Sequence, residues 1–173
     1  MSDRKRKIFR GRIIGLDVES VTLPNGTELE MEIVSHPGGA AVVAIDENSR
    51  VCLLRQYRHV AGGYLWELPA GKIDDNEPPL DTAIRELADE AGIRAGVWHS
   101  LGNMISSPGV FTEVVHLWLA RTLESGEANT DADEVIEVHW VDYAEALSWA
   151  LDGTIRDAKS VIGLLRAQKY VAT

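Results

Sequence analysis

Residues 71–93 read GKIDDNEPPLDTAIRELADEAGI, and the spacing inside this stretch decides the fold. Pro78 and Pro79 suit the first turn of a helix, where a missing N–H costs little. Leu80, Ala83, Ile84, Leu87 and Ala91 then recur at helical spacing, and Gly92 follows as a stop. Glu86 and Glu90 are four apart and Asp89 is three from Glu86, so three carboxylates crowd one face while the opposite face is apolar. Like charges at this spacing destabilise an isolated helix by roughly a few tenths of a kcal/mol per pair, and only Arg85 stands beside them as a counter-charge. A hard divalent cation with oxygen ligands is the natural neutraliser, and Mg2+ is commonly held by a few carboxylates together with substrate phosphates. A bare acidic cluster is more often a solvated helix face. The fixed residues around this one point instead to chemistry.

Those residues resemble the Nudix box: Gly, five residues, Glu, seven residues, Arg-Glu, apolar, any, Glu-Glu, any, Gly, apolar. Gly71, Glu77, Arg85, Glu86, Leu87, Glu90, Gly92 and Ile93 each match, while Asp89 stands where Glu is usual and reaches one methylene less far. So many constrained positions in one segment are far more specific than a lone Gly-rich loop. The resemblance implies an α/β chain folded as an α/β/α Nudix sandwich with a mixed sheet. It also implies Mg2+, with Mn2+ as a substitute, held by Glu86, Glu90, Asp89 and the backbone carbonyl of Ala70. Arg85 joins the catalytic set by bracing the carboxylate helix together with Glu77.

Outward from the box, the chain of 173 residues fits one domain large enough to bury a core without staples. With 27 acidic and 17 basic residues its net charge is -10, which disfavours a generic nucleic-acid or anionic-membrane binder. A phosphate substrate remains compatible, because metal ions carry positive charge locally. The single Cys52 lies in the apolar run VCLLRQY and reads as a small buried hydrophobe. The basic start MSDRKRKIFR leads into no apolar segment, and no stretch approaches the ~18 apolar residues of a membrane span, so a cytoplasmic protein is expected.

Residues 10–19 and 28–34 carry strand-like patterns around the turn Pro24-Asn25-Gly26 and predict a hairpin. So small a sheet needs a surface to pack on. In the ADP-ribose pyrophosphatases that the chain resembles, the equivalent strands pack on a second subunit and complete its site. That implies a homodimer, with residues 1–36 as a dimerising hairpin and residues 37–173 as the hydrolase domain. A hairpin that extends its own subunit's sheet is the alternative.

The runs AAVVAI (40–45) and VCLLRQY (51–57) suit strands buried on both faces. The second ends in Arg55-Gln56-Tyr57-Arg58, and the resemblance gives Arg58 to the substrate phosphates, with Arg55 as a second candidate. Residues 64–68 predict a short strand whose Glu67, alone in apolar surroundings, must be paired or directed at the site. Pro69-Ala70-Gly71 then reads as a turn toward the box helix. Strands are predicted at 97–104, 113–120 and 135–141, and helices at 143–151 and 157–170, the last two taken as packing elements. Ser107-Pro108-Gly109 places Pro108 sixteen residues past Gly92, a spacing that marks the ADP-ribose branch of the family. Glu113, just beyond, reads as an exposed strand start. The polar loop 124–134 ends in Asp131-Ala132-Asp133-Glu134 and is long enough to suggest a job. Glu134 best matches the family's general base.

The resemblance therefore implies hydrolysis of ADP-ribose to AMP and ribose 5-phosphate. The same chemistry on another nucleoside diphosphate sugar such as GDP-mannose is the nearest alternative, and a Nudix fold that binds its ligand without turnover is a more distant one.

Overall fold

The computed structural model describes residues 5–130 and 134–171. Its centre is strand β4 (Gly39–Ala44), which is buried along its whole length. Successive side chains of a strand point to opposite faces. Ala41 and Val43 accordingly join one apolar cluster with Leu53, Leu117, Leu119 and Leu164, while Ala40, Val42 and Ala44 join another with Ala83 and Leu87. The first cluster carries helices α2 (Tyr143–Asp152) and α3 (Ala158–Ala167), the second carries α1 (Pro79–Ala91). The predicted sandwich is thus written into six residues of one strand.

Around β4 the sheet is mixed, in the order β7-β4-β9-β8, with β7 at Ala70–Lys72, β8 at Ile93–Ile105 and β9 at Val114–Ser125. β4 and β9 run parallel, from Gly39 opposite Val115 to Ala44 opposite Ala120, and the other two pairings are antiparallel. The remaining strands do not continue this sheet. β5 (Arg50–Arg58), β6 (Gly63–Glu67) and β10 (Ile136–Asp142) form a separate antiparallel sheet in the order β10-β5-β6. Cys52 lies fully buried on β5, and burial pushes its thiol up to about 12.

Two sequence expectations are corrected here. Pro69-Ala70-Gly71 was expected as a turn, yet Ala70–Lys72 pairs with β4, Ala41 opposite Ala70 and Gly39 opposite Lys72. Three residues are too few for a periodicity to declare itself. The N-terminal hairpin is likewise a three-stranded antiparallel sheet in which β2 (Gly15–Thr22) lies between β1 (Lys5–Arg10) and β3 (Glu28–Ser35). The turn at Pro24-Asn25-Gly26 joins β2 to β3 as expected, whereas β1 lies in the basic start of the chain, for which no strand was expected before residue 10. Two of its four basic side chains are paired across the strands: Asp17 on β2 is buried and accepts bonds from both Lys5 and Arg10. This sheet neither joins nor extends the two sheets of the main body, and it meets that body through backbone bonds such as Val34 N–H to Val110 O at 2.7 Å.

Among the described residues no helix is long and apolar enough to cross a membrane. α1 starts at Pro79 and stops at Gly92, as its sequence requires, although Ile84 stays exposed on the outer edge of the apolar stripe. Gly92 has φ 65°, and a Cβ there would stand 2.8 Å from the amide nitrogen of Ala128. Left-handed backbone and close approach both demand glycine at the helix end. Gly92→Ala should therefore lower unfolding free energy by about 1–3 kcal/mol, measured by denaturant titration.

Candidate active site

The acidic face of α1 docks against β7. Glu90 is buried and its Oε2 accepts the N–H of Ala70 at 2.7 Å. The Glu86 carboxylate lies over Gly71, where a Cβ would fall 1.9 Å from Oε1. Glu86 Oε1 also accepts from Arg85 Nη1 at 2.5 Å. Arg85 in turn bonds both oxygens of Glu77, at 3.0 and 2.9 Å, and the carbonyl of Lys72 at 3.1 Å. One arginine thereby ties the loop before α1, the strand β7 and the helix itself together.

This acidic wall is short of positive charge. Burial pushes the Glu90 carboxyl up to about 8 against the pull of the Ala70 amide, and the charges of Glu86 and Glu134 add to the rise. Burial likewise raises Glu86, which Arg85 opposes and Glu134 and Asp89 reinforce. Among the described residues no group of three or more His, Cys, Asp or Glu side chains stands close enough together to hold a metal ion by itself. The bonds that hold Glu86 and Glu90 each engage one carboxylate oxygen. Their other oxygens, together with the half-buried Asp89, make an all-oxygen set of acidic side chains, which fits a hard divalent cation such as Mg2+ or Mn2+.

Opposite stands a wall whose cations are paired with a buried carboxylate. Arg58, at the end of β5, forks onto Glu67 with Nε 2.8 Å from Oε1 and Nη2 2.9 Å from Oε2. Lys159 Nζ lies 2.6 Å from the same Oε2 and 3.0 Å from Asp157. Burial raises the Glu67 carboxyl, but the bonds and charges of Arg58 and Lys159 outweigh it and hold the group below the ordinary range. The walls enclose two adjoining cavities of about 440 and 520 Å3 that share Arg58, Gly71 and Glu134.

Of the residues expected from sequence, Glu86, Glu90, Asp89, Ala70, Glu134 and Arg58 gather around these cavities. Arg85 also lines the larger cavity and braces the helix there. Glu67 sits behind Arg58 rather than facing a ligand. Arg55 is absent from both cavity linings and lies 4.6 Å from the Tyr64 ring centroid and 3.3 Å from Glu137. Pro108 is exposed outside the cavity linings, in a loop stitched to the end of β3 through Thr112 N–H and Val34 O at 3.0 Å. Glu113, read as an exposed strand start, lines the smaller cavity 3.5 Å from His36. Of the loop before β10, residues 131 to 133, Ala132 included, lie outside the described residues.

Sequence reasoning missed Asp157 and Lys159, placed on a helix taken as packing, and missed Arg12 and Ile13, which bring the β1–β2 turn to the larger cavity of the same chain. A signal existed for Lys159: a cation in the first turn of a helix opposes the macrodipole. Nothing in the sequence marks Arg12.

Glu77 is held down to about 2, chiefly by its bonds to Arg85. A carboxyl lowered on folding stabilises the fold above its ordinary value of 4.5, and that share is lost as pH falls toward about 2. Glu77→Gln should flatten the dependence of melting temperature on pH across that window, compared with the unaltered protein by calorimetry.

The NUDIX domain profile matches residues 35–162. A methanol dehydrogenase activator of Bacillus methanolicus is 37% identical over 163 residues, spanning 93% of this chain and 88% of the relative. An ADP-ribose pyrophosphatase of Bacillus subtilis is also 37% identical, over 92% of this chain and 88% of its own length. A GDP-mannose pyrophosphatase of Cronobacter sakazakii is 36% identical over 79% and 76%. Among solved structures, an ADP compounds hydrolase superposes with TM-score 0.83 at 20% identity, covering 97% of this chain and 91% of the other, and so shares the fold.

Proposed function

The chain belongs to the Nudix family and is a Nudix diphosphatase, and we propose that it hydrolyses the diphosphate bond of ADP-ribose, giving AMP and ribose 5-phosphate. The observation that carries the diphosphate chemistry is the meeting, across shared cavities, of the carboxylates Glu86, Glu90 and Glu134 with the fixed guanidinium of Arg58, and the choice of ADP-ribose rests on the 37% identity to the Bacillus subtilis ADP-ribose pyrophosphatase. Glu86, Glu90, the Ala70 carbonyl and Asp89 would hold divalent cations, which would supply positive charge to the diphosphate and lower the pKa of a bound water. Glu134 accepts a proton from the attacking water as its oxygen bonds to phosphorus and the bridging P–O bond breaks. Arg58, two of whose nitrogens are engaged by Glu67, turns its remaining N–H groups to the phosphate oxygens. Arg85 keeps the acidic face of α1 from turning away.

A second reading keeps the chemistry and changes the substrate to GDP-mannose. It is favoured by the similarity to the GDP-mannose pyrophosphatase, and by a site whose named residues address the diphosphate and not the base. A panel of nucleoside diphosphate sugars with Mg2+ or Mn2+, read as phosphate released after phosphatase coupling, separates the two. ADP-ribose should be turned over best, EDTA should abolish turnover, and Glu90→Gln should lower kcat by more than about a hundredfold with the fold intact. Preference for GDP-mannose would establish the second reading, and no turnover of any member would overturn both.

The N-terminal sheet supports a homodimer as part of this proposal. Ile8, Phe9, Ile13 and Ile14 are exposed on β1 and the turn after it, with Phe9 at 53%. Covering such a surface in an obligate dimer buries upwards of roughly 2,000 Å2 in total. Light scattering should give twice the chain mass, and deletion of residues 1–34 should yield a monomer with raised KM. A full-length monomer that is fully active would refute it.

A further inference from the structure

The ion cluster around Glu67 enters the steps above only through the fork that holds Arg58, yet it is built in detail, and its Asp157 and Lys159 line the smaller cavity. Glu67 is 2% exposed and takes two cations on one carboxylate: the Arg58 fork on both oxygens and Lys159 on Oε2. Lys159, 17% exposed at its side chain, is itself anchored to Asp157. Asp157 caps α3 by accepting the Ser160 N–H at 3.1 Å and the Ser160 hydroxyl at 2.5 Å. The same hydroxyl accepts the N–H of Leu68 at 2.7 Å, one residue past Glu67. The first turn of α3 and the end of β6 are therefore one unit, although 92 residues separate Glu67 from Lys159.

Three features of this unit call for a reason. A lysine in the first turn of a helix stands at the wrong end of the macrodipole. Its long stem gives up rotamer freedom to stay in place. An apolar residue would fill the space without charges to desolvate. A lone guanidinium on a lone carboxylate, however, pivots about that contact. A second cation at Oε2 fixes the carboxylate plane, and the plane fixes the guanidinium.

We propose that Lys159 is a positioning residue for the diphosphate: acting through Glu67, it locks the Arg58 guanidinium so that the edge free of Glu67 faces the cavities. The inference rests on the reading of Arg58 as a phosphate ligand. Lys159 closes the cluster with Asp157, so two carboxylates balance two cations. The orientation of Arg58 is then set before any ligand arrives.

The test uses the full chain with Mg2+ and an ADP-ribose analogue whose bridging oxygen is replaced by methylene, with affinity read by calorimetry. Lys159→Met should weaken binding about tenfold, the scale of a lost bond between charged groups. Lys159→Arg should restore most of it. Thermal melts establish that each variant folds, and Lys159→Gln, which keeps one donor for Glu67, carries the comparison if the methionine variant does not. The deciding arm is an Arg58→Ala/Glu67→Gln background, which removes the fork together with the buried anion. There Lys159→Met should change affinity by less than about twofold, since sites coupled only through a missing partner lose their interaction. Unchanged affinity in Lys159→Met alone overturns the proposal. So does an undiminished loss in the double background, which would make Lys159 a direct ligand contact. Turnover of ADP-ribose judges the proposed reaction separately, so a chain that holds the analogue without cleaving the substrate fails that reading and leaves this one standing. A chain that does not hold the analogue fails both.

Discussion

The contact on which the rest depends is the docking of an acidic helix edge onto a three-residue strand. Glu90 gives up water for one backbone N–H, and Glu86 lies where only a residue without Cβ leaves room. Burial of this kind is unfavourable for a carboxylate unless something returns the lost solvation. For Glu86 part of the return comes from Arg85, which reaches Glu77, Lys72 and Glu86 at once, for Glu90 it comes from the Ala70 N–H and the charge of Arg58, and the balance is left to the proposed cations. The apolar side of α1 makes the arrangement affordable, because Ala83 and Leu87 pack under β4 and hold the helix in place whatever its acidic edge costs.

Across the cavities the electrostatics are reversed. There Glu67 is the buried anion, and two cations hold its carboxyl in the charged form that Glu90 resists. One wall lacks positive charge and the other has it locked in place. A diphosphate with its divalent ions matches that pair of walls, whereas a neutral ligand matches neither. An overall charge of -10 would repel such a substrate at long range, so the local pattern and not the net charge makes the site.

Much of this was legible in the chain. The stripe on α1, the stop at Gly92 and the burial of residues 40–44 follow from local periodicity, which acts over a few residues and is visible in one sequence. The box placed Glu86, Glu90 and Asp89 on one face before any coordinates. Where reading failed, the pairing was distant or the segment was short. β1 was not read as a strand because its run is basic and the anion that pairs Lys5 and Arg10, Asp17, lies on the next strand. β7 is too brief to show a period. Arg55 and Arg58 look equivalent in sequence, and the pleat sends them to opposite faces of their sheet, one to Tyr64 and the other to Glu67.

By itself, the sequence determined the helix that carries the carboxylates, the strand that divides the core and the family to which both belong, because each is fixed by spacing within a short window. Only the tertiary structure decided that Lys159 meets Glu67, that Arg12 reaches the larger cavity and that Pro108 stays outside it. Those relations join residues far apart along the chain. Their energies are felt only after the sheets and helices have packed, so no local pattern records them.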